Sequence, residues 1–221
     1  MGFFDYSLSI SDRILKDFKT TLYMLFFSAI FAGLFGLILG IIMVVTDRGR
    51  ILENKVVYSI LDKLTNIFRS IPFIILLALV APLTRVIVDT RIGPKAAIVP
   101  LVVSCVPFFA RQVEQALAEV DPGVIEAAEA MGKSPFEIIT SVYLREGLPN
   151  LIRAGSITLI SLLGLTAMAG LIGGGGIGDL AISVGYNRYK DDVVLVSVLL
   201  ILIVVFIIQA IANYLIRKTK H

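Results

Sequence analysis

Histidine and cysteine are nearly missing from this 221-residue chain. The one histidine, His221, is the last residue, and the one cysteine, Cys105, lies in an apolar run. A lone cysteine makes no intrachain disulfide and no thiolate metal cluster. Without an internal histidine, zinc hydrolysis and Ser–His or Cys–His catalysis lose their usual base. An intramembrane enzyme using Asp or Lys would want acidic residues facing each other within apolar segments, and none are supplied. Charge is also scarce, at 17% of residues with a net +3. That excess is too small to point to nucleic acid, and the basic residues flank apolar runs, where they read as topology signals. The glycine run Gly173-Gly174-Gly175-Gly176-Ile177-Gly178 has no strand before it and no lysine at phosphate-loop spacing after it. Chemistry on ATP therefore does not belong to this chain, and it reads instead as a tight turn. The N-terminus does not read as a cleaved signal: Asp5, Asp12 and Asp17 precede the first apolar run, which is too long for a signal core.

Apolar sequence is what the chain has in abundance. It is 57% hydrophobic with a mean hydropathy of +0.91, the composition of a multi-span membrane protein. Runs long enough to cross a bilayer, roughly 20 residues each, fall at about Thr21–Val45, Ile67–Val88, Ala96–Ala118, Leu151–Ile172 and Val193–Ile216. These predict an all-α membrane protein of about five transmembrane helices, one transmembrane domain over 1–221. The residues Ser9–Thr20 alternate apolar and charged and suit a helix along the membrane surface.

An odd number of spans puts the termini on opposite sides. Arg48, Arg50, Lys55, Lys63 and Arg69 form one basic group, Lys133, Arg145 and Arg153 a second, and Arg217, Lys218 and Lys220 a third. With the N-terminus outside and the C-terminus inside, all three groups face the cytoplasm, as the positive-inside rule prefers.

Between spans three and four lies a polar connector, residues 121–149, long for a membrane loop. Asp121-Pro122-Gly123 offers an N-cap with proline at the first helical position, and Ala127, Ala128 and Ala130 are strong helix formers. Gly132 suits the left-handed residue that ends such a helix. Ser134-Pro135-Phe136-Glu137 restarts one with a capping box, running to about Arg145 before Gly147 and Pro149 break it. A well-capped membrane connector would show these features too.

Inside the spans, Ser161, Gly164, Ala167 and Gly170 form a stripe of small residues, most simply a surface for close helix packing. Met168 is the bulky neighbour of that stripe: a gap-filler on the plain reading, a constriction if the face lines a pathway. Arg69, Arg111 and Glu114 stand near span ends, where snorkelling is the plain account. Pro72, read as lying within span two, would free a carbonyl that needs another partner.

The connector resembles a family signature. Glu126-Ala127-Ala128, three residues, Gly132, nine residues and an apolar-x-Leu pair are similar to the EAA loop of ABC importer membrane subunits, with one departure: Arg145 stands where the family usually has proline. Asn66 through Leu77, Ala96–Leu101, Ser156–Ile160 and the glycine run closing at Ile177-Gly178 further resemble the methionine-uptake permeases. The resemblance implies a type I ABC importer of the bacterial cytoplasmic (inner) membrane, whose coupling loop docks into a cytoplasmic ATPase. The coupling residues carried over are Glu126, Ala127, Ala128, Glu129, Met131, Gly132, Ser134 and Pro135; Met168 is the candidate gate. It implies two copies of this permease, two ATPase subunits that bind the ATP and Mg, and an extracytoplasmic methionine-binding lipoprotein. No cofactor is expected in this chain. The expected solute is methionine, in the L form first and then the D form; the alternative is a related importer for another small solute such as a polar amino acid. A structural membrane scaffold would instead tolerate loss of the knuckle.

Overall fold

The computed structural model describes residues 4–219; Lys220 and His221, the end of the basic tail, lie outside the described residues. Among those described every regular element is helical. A short α1 (Asp5–Ser9) leads into α2 (Ser11–Thr46), followed by α3 (Lys55–Ser70), α4 (Phe73–Val88) and α5 (Pro94–Ala118). The connector holds α6 (Pro122–Ala130), α7 (Pro135–Ile138) and α8 (Leu144–Glu146), then come α9 (Leu148–Ala169), α10 (Ile177–Asp179) and α11 (Asp191–Thr219). Helices α2, α5, α11 and Leu148–Gly174 are long and apolar enough to cross a bilayer, and α3 and α4, bent by 110° at the break between them, meet that measure only as a pair.

Two of the sequence expectations are corrected here, and one element is added. The stretch before span one is not a separate surface helix: Ser11–Thr20 forms the first turns of a 36-residue α2. Span two does not begin at Ile67. The helix stops at Ser70, whose hydroxyl donates back to the Asn66 carbonyl at 2.7 Å, and resumes at Phe73 after Pro72 (φ −55°, ψ 135°). Proline disfavours helical geometry at the residue before it. Pro72 thus stands at the N-cap of α4, between the two helices and not inside either. Its predecessor α3 is amphipathic, with Val56, Ile60, Leu64 and Ile67 exposed along one side and Thr65 buried on the other. The added element is an apolar helical segment, Ile177–Tyr186, between α9 and α11.

The chain divides into two compact units. The first comprises Met1–Phe31, Ile71–Ser104 and Leu159–Gln209. Its core joins Ile14, Ile177, Leu180, Val184 and Val193. Positive φ at Gly173, Gly175 and Gly176 turns the chain after α9, as the glycine run predicts. That corner is tied down by backbone groups: Ile177 N–H donates to Thr21 Oγ1 at 2.8 Å, and Gly93 N–H to the Gly173 carbonyl at 2.9 Å. The Asp192 carboxylate accepts the Ser7 N–H at 2.6 Å, holding α1. The second unit, Ala32–Ser70, Cys105–Thr158 and Ala210–His221, carries the connector.

Candidate functional site

The connector folds as its caps dictate. Asp121 Oδ1 accepts the Gly123 N–H at 2.8 Å with Pro122 at the first helical position. Gly132 adopts φ +78°, so its N–H can close on the Glu129 carbonyl at 2.9 Å while Lys133 N–H reaches Ala128 at 3.2 Å. A β-carbon is disfavoured in that conformation. Ser134 and Glu137 then form the expected capping box: Glu137 Oε2 accepts the Ser134 N–H at 2.8 Å, and Ser134 Oγ the Glu137 N–H at 3.4 Å. Hydrogen bonds from the Ser134 hydroxyl and N–H hold the Glu137 carboxyl below the usual glutamate range.

One face of this knuckle is anchored. Ile125 and Ala128 of α6, three residues apart on one face, pack with Ile138, Val142 and Tyr143 against Val113, Leu117 and Val120 at the end of α5 and Val44 and Val45 at the end of α2. Tyr143 is wholly buried, and a π-helical turn over Ile139–Tyr143 directs it and Val142 inward. Arg50 donates to the Ala118 carbonyl at 3.1 Å, satisfying an end group of α5. Asn150 donates to Glu119 at 2.7 Å.

Gly147 closes α8 as expected, but neither it nor Pro149 turns the chain away from α9. Gly147 stays helical (φ −77°, ψ −4°), donates to the Tyr143 carbonyl and accepts from Leu151 N–H, both at 2.9 Å. Its lack of a side chain serves packing: a β-carbon would sit 2.6 Å from Leu117 Cδ2. Pro149 falls in the first turn of α9, where a missing N–H costs nothing. The knuckle therefore runs almost continuously into α9.

The opposite face is bare. Glu126, Ala127, Glu129 and Ala130 are exposed, and Ser134 and Pro135 are too. Met131 and Phe136 are 71% and 74% exposed at the corner. Of the residues carried over by resemblance, Ala128 alone turns inward, 2% exposed. Two large apolar side chains held in water beside small alanines and two carboxylates make a surface suited to a protein partner.

A charged network missed by the sequence reading lies in the same unit. Arg111 on α5 bonds the Asp62 carboxylate on α3 and Glu114 at 2.6 Å. Tyr58 donates to the other Glu114 oxygen at 3.0 Å. These groups do not snorkel; they pair, so that Glu114, 7% exposed, is neutralised in place. The network fastens α3 to α5. Sequence spacing shows the Arg111–Glu114 pair, three residues apart, but not the partner helix.

On α9 the stripe of small residues splits. Ala167 packs on the chain after the glycine corner, where a β-carbon on Gly178 would meet its carbonyl at 2.3 Å. Ser161 and Gly164 are exposed, and nothing lies within 4 Å of where a Gly164 β-carbon would be. Met168, half-buried, shares the helical face of Ser161, Gly164 and Leu171.

Residues 35–221 match the family model described as "Binding-protein-dependent transport system inner membrane component". A Vibrio cholerae protein named "Probable D-methionine transport system permease protein MetI" is 42% identical over 211 residues, 96% of this chain and 94% of that protein. The Bacillus subtilis "Methionine import system permease protein MetP" is 47% identical over 172 residues, 78% of each chain. A chain in a solved inward-facing structure of the MetNI methionine ABC transporter superposes with a TM-score of 0.94 at 43% identity, covering 96% of this chain and 99% of that one. With four apolar spans, or five if α3 and α4 are counted as one, and a capped, anchored knuckle between α5 and α9, this chain belongs to the family of binding-protein-dependent transport system inner membrane components.

Proposed function

We propose that this chain is the permease subunit of an ATP-driven methionine importer, acting as a homodimer with two ATPase subunits and an extracytoplasmic methionine-binding lipoprotein. The observation that carries the mechanism is the knuckle: bare at Met131 and Phe136, and welded on its other face to the ends of α2 and α5. The ATPase receives the bare face, and Glu126, Ala127, Glu129 and Gly132 shape it. ATP and Mg are held by that partner. Closure of the ATPases draws the two knuckles together. Each passes its displacement into α9, a helix of 22 residues, about 33 Å long at 1.5 Å per residue. Methionine specificity is supported by the names of relatives covering nearly the whole chain, and the termini are assigned N outside and C inside on the distribution of Lys and Arg.

Met168 is the gate of this reading. Its face on α9, with Ser161 and Gly164 open, is the wall offered to the second copy, and Met168 is its bulky, adaptable member. Two measurements test the proposal. The reconstituted transporter should accumulate methionine, with glutamine or histidine in excess failing to compete, and exchange of Glu126 for Ala should leave ATP hydrolysis running while uptake falls. Competition by the polar amino acids alone would move the assignment to the alternative importer. For the gate, Met168→Cys in the nucleotide-free dimer should cross-link to its symmetry mate, an outcome a gap-filler within one subunit would not give.

A further inference from the structure

A groove of about 790 Å³ in the first unit is left unused by this mechanism. It lies between the first turns of α2 and the loop leading into α5. Leu15, Tyr23, Ile92 and Pro94 give it apolar walls, while Lys16, Lys19 and Lys95 stand around it with Asp12 as the one acid. Lys16, Lys19 and Tyr23 fall on one helical face, spaced three and four residues apart. Among the described residues, none of the three lysines is in an ion pair. The groove hydroxyls are already engaged, Thr20 donating to the Lys16 carbonyl and Thr90 to the Ile92 carbonyl, each at 3.0 Å. The ammonium groups and the Tyr23 phenol are the donors left for a ligand.

We propose that this groove holds an anionic phospholipid, its acyl chain against Leu15, Ile92 and Pro94 and its phosphate among Lys16, Lys19 and Lys95. Position favours this occupant. The apolar stretch of α2 begins at about Thr21, so Tyr23 and the two lysines before it stand where a spanning helix meets the headgroups. The excess of cations favours an anionic headgroup and disfavours one that carries its own amine. The size suits one molecule's polar end and upper chain. The inference is independent of which solute is transported.

The test uses the intact permease–ATPase complex in detergent, mixed with phosphatidylglycerol or phosphatidylcholine and read by native mass spectrometry. Phosphatidylglycerol should be retained preferentially. One lysine near an anionic headgroup contributes about five-fold in affinity, so the Lys16→Gln, Lys19→Gln, Lys95→Gln variant should bind on the order of a hundred-fold more weakly. The corresponding triple Lys→Arg variant should keep the lipid, and Ile92→Trp, which fills the groove with its charges intact, should lose it. Equal retention of both lipids, undiminished binding by the triple Gln variant, or displacement by inorganic phosphate would overturn the assignment. If the triple Gln variant instead keeps the lipid and loses its hold on the extracytoplasmic binding protein, the groove serves a protein partner and the lipid proposal fails.

Discussion

Two glycine corners reverse this chain, and they need glycine for different reasons. At Gly132 in the knuckle φ is +78° and nothing lies within 4 Å of where a β-carbon would be. At the corner after α9 a β-carbon would strike backbone from three glycines: the Gly175 carbonyl from Gly170, the Ala169 carbonyl from Gly174, both at 2.7 Å, and the Ala167 carbonyl from Gly178 at 2.3 Å. Gly132 permits a backbone angle alone; the second corner uses Gly173, Gly175 and Gly176 for their positive φ and Gly170, Gly174 and Gly178 to make room. A surface that presents side chains to a partner can stand free around its turn. A corner where backbone rests on backbone cannot, and it has few side chains to present.

Replacement at the two corners should therefore separate cleanly. Gly178→Val forces apart two backbone segments and should cost about 3 kcal/mol or more; little folded transporter should survive purification, and the melting temperature of what does should fall. Gly132→Val sets its β-carbon in open space and costs chiefly the strain of a β-branched residue at positive φ, about 1–2 kcal/mol. The permease should insert and melt near normally while capture of the ATPase and uptake decline. Equal melting losses for Gly132→Ala and Gly178→Ala would break the comparison. The smallest effect belongs to the cap: Ser134→Ala should loosen the start of α7 by about 1 kcal/mol, seen as faster amide exchange at Phe136, Glu137 and Ile138 without a change in global melting. Because the Glu137 carboxyl is held below its ordinary value of 4.5, its contribution is complete above that pH and is lost as pH falls through the depressed value. Relative to the intrinsic rate at each pH, protection in wild type should fall in that acidic window and converge on that of Ser134→Ala.

What the sequence made legible was local. The Asp121 cap, the left-handed Gly132 and the Ser134–Glu137 box each act within a few residues, so their chemistry is written in the order of the chain. Apolar length likewise reads directly as spans. Hydropathy measures length and not straightness, which is why the stop at Ser70 and the separate α3 escaped it. Gly147 and Pro149 looked like breakers because their partners are distant: Leu117 explains the glycine, and the start of α9 explains the proline. The pairing of Arg111 with Asp62 joins residues with a full helix and loop between them, and no local pattern announces it. The short helix at Ile177–Tyr186 hid behind the glycines, since a segment too short to span leaves only a weak apolar signal.

The bare tip of the knuckle has a consequence for how such a transporter is made. Met131 and Phe136 face water in a lone permease and, on the proposed docking, lie buried in the finished complex. A permease synthesised in excess of its ATPase thus displays two adhesive side chains at that corner, a liability that vanishes on the proposed assembly. Their exposure would turn subunit stoichiometry into a physical property of the membrane: on that docking, orphan copies should cluster, whereas matched copies should stay dispersed.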